Sequence, residues 1–281
     1  MHKKNIVGFH IKSLYSLAML DLGLILAGFF VGTVVGLTGV GGGSLMTPLL
    51  IFFFGVKPYM AVGTDLLFAA FTKLGGTVSM ARQRQVPWRV VAQLSAGSIP
   101  AALVTLYVLH TIGPADAQVQ KLMTTTLGVA LLLTAAATFY KAVRGKLLPR
   151  HVAAADLERA TRARHWSLPL LFGALIGTLV TLTSVGAGAI GVSVLLLLYP
   201  LLPLPRIVAA DIAYAVPLTL VAGLGHASLG SVDWPLLAKL LAGSLPGIWL
   251  GSRLINIAPE RLVRSILSVL LAWAGTKLVL I

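Results

Sequence analysis

Two carboxylates, one lysine and one histidine stand inside otherwise apolar sequence, where ionisable groups are costly and usually functional. Asp65 lies near the start of an apolar run over 61–81, and Asp211 near the start of another over 207–229. Carboxylates in such runs face a cavity or a partner and commonly relay protons, so both are candidate proton-coupling groups. The alternative for each is helix N-capping at an interface. Lys73 follows Asp65 by eight residues, ~12 Å along a helix and roughly 80° around it, which strains a direct pair within one helix. Its ammonium is therefore expected to face an anion or a carboxylate of the other half of the chain, with a structural ion pair as the alternative. His226 follows Asp211 by fifteen residues on a similar helical face. It joins the proton-coupling candidates if water reaches it, against the alternative of an interfacial hydrogen bond. Pro217 in the same run predicts a kink.

Two glycine-rich breaks supply the complementary chemistry. Gly36-Leu37-Thr38-Gly39-Val40-Gly41-Gly42-Gly43-Ser44 ends one apolar run and precedes a short apolar piece, and Thr183-Ser184-Val185-Gly186-Ala187-Gly188 does the same later in the chain. Non-helical backbone at membrane depth is tolerated only where it is buried in protein or lines a wet cavity. A short helix beginning at such a break points free amides and its positive dipole end inward, which suits a small oxyanion. The candidate substrate-binding residues are thus Thr38, Gly39, Gly41, Gly42, Gly43 and Ser44 at the first break, Thr183, Ser184, Gly186 and Gly188 at the second, and Lys73. Close helix packing through small residues is the competing explanation.

The elements that must position these residues follow from composition. Of 281 residues, 57% are hydrophobic and only 11% charged, with a mean hydropathy of +0.93, whereas soluble domains carry about a quarter charged residues. A soluble enzyme is excluded on these grounds. The net charge of +14 reads as membrane topology rather than nucleic-acid binding. Cysteine is absent, which removes disulfides and thiolate metal sites. The histidines show no ligand spacing, so no metal and no cofactor is expected. Hydrolase and phosphate-loop motifs are also missing, which argues against an enzyme or a primary pump. The basic start, Met-His-Lys-Lys-Asn, is followed by no clear small-residue cleavage site, so the first span is expected to be retained.

A spanning helix needs about 20 apolar residues. Runs at 22–38, 61–81, 89–109, 121–142, 166–183, 207–229, 236–252 and 262–281 give eight candidates. The pieces at 44–55 and 189–199 are too short to span. The expected architecture is an all-α polytopic membrane protein with about eight spanning helices and two short half-helices. It divides into a polar tail (1–21), a first repeat (22–142), a basic cytoplasmic linker (143–165) and a second repeat (166–281).

The two halves resemble each other. Gly32-Thr33, Thr38, Val40, Gly41 and Gly43 recur 145 residues later; Asp65, Val86-Pro87-Trp88 and Ala96-Gly97-Ser98-Ile99-Pro100 find Asp211, Val232-Asp233-Trp234 and Ala242-Gly243-Ser244-Leu245-Pro246 after 146. Repeats of this kind build transporters whose site lies between the halves. Basic loops mark the cytoplasmic side. The loop holding Arg82, Arg84 and Arg89 is basic while its counterpart at 228–235 is not, and the order swaps for 110–121 against 253–264 with Arg253, Arg261 and Arg264. Equivalent loops therefore fall on opposite sides, which predicts inverted repeats. Lys3, Lys4 and Lys12 run against this scheme, which places the N-terminus outside.

The signature Gly-Leu-Thr-Gly-Val-Gly-Gly-Gly-Ser at 36–44 with Pro48, the stretch Ala61-Val62-Gly63-Thr64-Asp65-Leu66-Leu67, and Val232-Asp233-Trp234 with Ala242-Gly243-Ser244-Leu245-Pro246-Gly247 resemble the sulfite exporter TauE/SafE family of bacterial multi-pass permeases over nearly the whole chain. Many of its members carry Ser where Asp65 stands here. The resemblance implies a secondary carrier in the bacterial cytoplasmic membrane that exports a small sulfur-containing or organic anion, with protons and lipid as its other partners and no nucleic acid. Alternating access between the halves is the expected mechanism. Uptake of such anions is one alternative, and a non-transporting scaffold or assembly factor the other. Small-residue faces such as Gly243 to Gly251 leave room for a homodimer or for packing within the monomer.

Overall fold

Prolines and aspartates set the helix starts in this chain. Pro58 and Pro205 sit in the first turns of their helices, where a missing amide costs nothing. Asp116 accepts the amide of Gln118 (2.8 Å) and Asp233 that of Leu236 (2.9 Å), each capping the helix that follows.

The computed structural model describes residues 21–37, 43–144, 161, 167–186, 188–254 and 260–280. Among them the chain is helical without strands. In order the helices are α1 (Asp21–Leu37), α2 (Gly43–Phe54), α3 (Pro58–Arg82), α4 (Trp88–Ile112), α5 (Ala117–Arg144), α6 (Ser167–Thr183), α7 (Ala189–Leu198), α8 (Leu204–Ser228), α9 (Trp234–Leu254) and α10 (Glu260–Val279). Thr38, Gly39, Gly41 and Gly42, and nearly all of the linker expected at 143–165, lie outside the described residues.

Helix starts recur at a fixed offset. Leu204 and Trp234 each stand 146 residues after Pro58 and Trp88. The turns after α3 and α8 repeat too, with Arg84 (φ 55°) and Gly230 (φ 68°) in the left-handed region at the same offset.

Among the described residues four stretches are long and apolar enough to cross a membrane on their own: Trp88–Ile112, Ala117–Tyr140, Leu204–Ser228 and Leu262–Val279. Their outer faces leave large apolar side chains exposed, among them Leu103 and Tyr107 on α4, Leu133 on α5, and Val269 and Trp273 on α10. Such surface suits lipid. α3 matches α4 in length at 25 residues but carries Thr64, Asp65, Thr72, Lys73 and Thr77, and its residues 61–70 are all buried. A helix wrapped by its neighbours needs no continuous apolar surface. α2 and α7, with 12 and 10 residues, reach ~18 and ~15 Å, about half of a bilayer core.

Packing exchanges partners between the halves. α1 lies against α9: a Cβ added at Gly28 or Gly32 would stand 2.4 Å from the carbonyl oxygen of Leu240 or Ser244. α6 lies against α4 in the same manner, with Gly173 over Leu94 (2.5 Å) and Gly177 over Ser98 (2.4 Å). These backbones touch because the glycines lack side chains, and larger residues would drive the helices apart. α5 pairs with α10 through Gly128 and Gly275, and α3 packs on α8 at the centre.

Candidate functional site

The central pair, α3 and α8, carries the ionisable residues, and the short helices α2 and α7 approach them from either half. Asp65 on α3 is fully buried, and the Thr47 hydroxyl of α2 donates to its Oδ2. The Ser184 hydroxyl, from the break in the second half, stands beside the same carboxylate. Lys73, two turns further along α3, is buried and in electrostatic contact with Asp211 and with Asp65. One basic side chain thus interacts with a carboxylate of its own half and one of the other.

Asp211 on α8 is 2% exposed. Its Oδ1 packs against the open side of Gly191, in the first turn of α7, where a Cβ would stand 2.0 Å from it. The Tyr214 hydroxyl converges on the same point, 3.2 Å from that Cβ position. Tyr214 is fully buried and its hydroxyl has no hydrogen-bond partner. The carboxylate therefore sits at the positive end of a half-helix, where dipole and amides favour negative charge.

The break that creates this end is built by its residues' conformations. Ser184 has φ 60°, and Gly186 and Gly188 have φ 135° and 134°, a region that favours glycine. Gly188 is the N-cap of α7. The Thr183 hydroxyl donates to the Leu179 carbonyl (2.6 Å) and accepts the Val185 amide (3.1 Å), so it closes the end of α6. The Ser184 Oγ is buried without a hydrogen bond. At the first break, Gly43 opens α2 and Ser44 is buried in its first turn.

His226 sits apart from the charged cluster. Its Nε2 lies 2.9 Å from the carbonyl of Thr181, in the last turn of α6, and its Nδ1 has no partner. Because Thr181 lies in the last turn, its carbonyl is one that the helix leaves unbonded, and the imidazole caps it. Of the expected site residues, Asp65, Lys73, Asp211 and Ser184 stand near one another, while Thr183 and His226 make hydrogen bonds at the end of α6. Thr47, Gly191 and Tyr214 belong to the same centre and were not singled out from sequence. A signal existed for Thr47: it and Ser193 are hydroxyl residues placed 18 positions before Asp65 and Asp211 respectively.

Among known proteins, the sulfite exporter TauE/SafE family profile matches residues 24–278. The chain is 37% identical over 261 residues to the probable membrane transporter protein YjnA of Bacillus subtilis (strain 168), an alignment that covers 92% of this chain and 100% of that one. Two further proteins of the same organism, the probable membrane transporter proteins YdhB and YunE, are 27% and 26% identical over 91% of this chain and 98% and 96% of theirs. No solved structure matches.

Proposed function

The chain belongs to the sulfite exporter TauE/SafE family, and from that premise we propose that it is a secondary active transporter that exports a small sulfur-containing or organic anion, sulfite or a sulfonate, with proton coupling through Asp65 or Asp211. It is a multi-pass membrane protein of transporter type, and we place it in the bacterial cytoplasmic membrane.

In this reading α1, α3, α4, α5, α6, α8, α9 and α10 span the membrane and α2 and α7 are half-helices. The halves are inverted repeats. The recurrence of the starts of α3 and α4 in α8 and α9, 146 residues on, supports this, as do glycine contacts that exchange the halves: Gly32 on Ser244 is answered by Gly177 on Ser98. The substrate binds between the halves, held by Lys73 and by the amide ends of α2 and α7, and rocking of one half against the other opens the site to each side in turn.

The observation that carries the proposal is Lys73, a buried basic side chain that interacts with carboxylates from opposite halves. Purified protein in liposomes should move labelled sulfite, faster with an imposed pH gradient, and Lys73→Ala should abolish that flux. Absence of flux for sulfite and simple sulfonates by well-folded protein would refute the substrate class.

A further inference from the structure

We infer that Asp211 and the transported anion are alternating occupants of one place, the first turn of α7, so that anion and proton bind together and cross as symport, in the direction that their combined gradients set. The inference rests on the anion-carrier reading above and adds which carboxylate couples, where, and with what sign.

The two aspartates are not equivalent, because the offset of 146 that relates them carries Leu45 to Gly191 and Phe68 to Tyr214. Asp211 Oδ1 fills the space left by the absent side chain of Gly191. That space lies where an external oxyanion would meet the amides of the first turn, since the Gly191 amide is already bonded to the Gly186 carbonyl (2.9 Å) and those of Ala189 and Ile190 form the positive end. The Tyr214 hydroxyl supplies the second, independent sign of a ligand. It is fully buried, has no hydrogen-bond partner, and is directed at this turn. A buried donor of that kind is expected to acquire an acceptor in another state of the protein.

Two negative groups cannot share the turn. The groups facing Asp211 are Lys73 from α3, with Asp65 behind it, and Tyr214 from its own helix. α6 and α7 contribute no ionisable residue, and α4 has charge or a titrating group only near its ends, at Arg89, Tyr107 and His110. With both carboxylates ionised and Lys73 protonated the cluster carries one net negative charge, which repels an anion. A proton taken up on Asp211 when this centre opens to water removes that repulsion and frees the carboxyl to leave Gly191. The anion then takes its place, accepting from Tyr214 and facing Lys73, and proton and anion are released together when the carboxylate returns.

The test is equilibrium binding of labelled methanesulfonate, whose charge is constant between about pH 5.5 and about pH 8, to the full-length protein in detergent. Wild type should bind about tenfold more tightly at the lower pH. Asp211→Asn should bind about tenfold more tightly than wild type at the higher pH and lose the pH dependence. Gly191→Ala should lose binding at least tenfold, because its methyl occupies the shared place. Tyr214→Phe, which keeps the shape, should weaken binding about fivefold. Weaker binding by Asp211→Asn, unchanged binding by Gly191→Ala, or tighter wild-type binding at higher pH would each overturn the inference while leaving an anion carrier standing. No binding by any of the four folded proteins, with no sulfite flux in liposomes, would overturn both.

Discussion

Replacing Lys73 by Met keeps the length and apolar stem of the side chain and removes one charge from a cluster shielded from water. Lys73 is 7% exposed and interacts with Asp211 and Asp65, themselves 2% and 0% exposed. Removing one partner of a buried pair costs about 3–5 kcal/mol, because the remaining charge is left uncompensated. Here two carboxylates would be left, so the upper half of that range is expected. For a chain of this size such a loss lowers the melting temperature by on the order of 10 °C. The assay is a double-mutant cycle in detergent with Lys73→Met, Asp211→Asn and the double variant, read as thermal stability. If the contact is as described, the double variant recovers much of the loss, with a coupling of about 2 kcal/mol or more. Additivity within about 0.5 kcal/mol would mean that the two side chains do not interact, and the cluster at the centre of the candidate site would be refuted.

Three further outcomes follow from the packing. Thr47→Val deletes the donor to the Asp65 carboxylate and should cost about 1.5–3 kcal/mol, the range for a hydrogen bond to a charged group, whereas Thr47→Ser should cost little; thermal unfolding of both variants decides it. Gly177→Ala would set a methyl 2.4 Å from the Ser98 carbonyl, and Gly32→Ala one 2.4 Å from that of Ser244, so each should destabilise by about 1–3 kcal/mol through overpacking. The two losses should agree in size, and a neutral result at either position would contradict the helix contact there. His226→Leu removes the group that caps the Thr181 carbonyl and should cost about 1–2 kcal/mol; His226→Gln can still donate and should recover most of it, while equal losses for both would mean that the imidazole is held by packing alone.

Much of this was legible because a membrane protein writes its periodicity in hydropathy. The apolar run at 89–109 falls inside α4, that at 207–229 overlies α8 except for its last residue, and both short pieces proved to be helices too short to span. Asp65, Lys73 and Asp211 could be found from sequence because an ionisable residue in an apolar run is conspicuous. Tyr214 and Gly191 could not. A tyrosine in a helix and a glycine in a short one are ordinary residues, and their meaning arises only when α8 is laid against α7 and the carboxylate fills the missing Cβ. His226 illustrates the opposite case: read alone it is a titratable group near a span end, yet the fold sets it on a carbonyl left open by the end of α6. Its partner lies 45 residues away, beyond any local spacing.

The recurrence between halves also fails at an instructive place. The offset that carries Asp65 to Asp211 carries Lys73 to Thr219, whose hydroxyl is bonded to the Ala215 carbonyl of its own helix (2.8 Å). Two carboxylates therefore share a single lysine. Had the lysine recurred as well, the cluster would be neutral with every group ionised and could take an anion at any proton concentration. With one lysine, the fully ionised cluster is negative, and charge balance for an incoming anion requires protons. The missing second lysine is thus what would make anion entry depend on protonation. Introducing it, as Thr219→Lys, should raise anion affinity and flatten its pH dependence if the added amine folds into the same centre. Retention of the wild-type pH dependence by a folded Thr219→Lys protein would separate coupling from the net charge of this cluster.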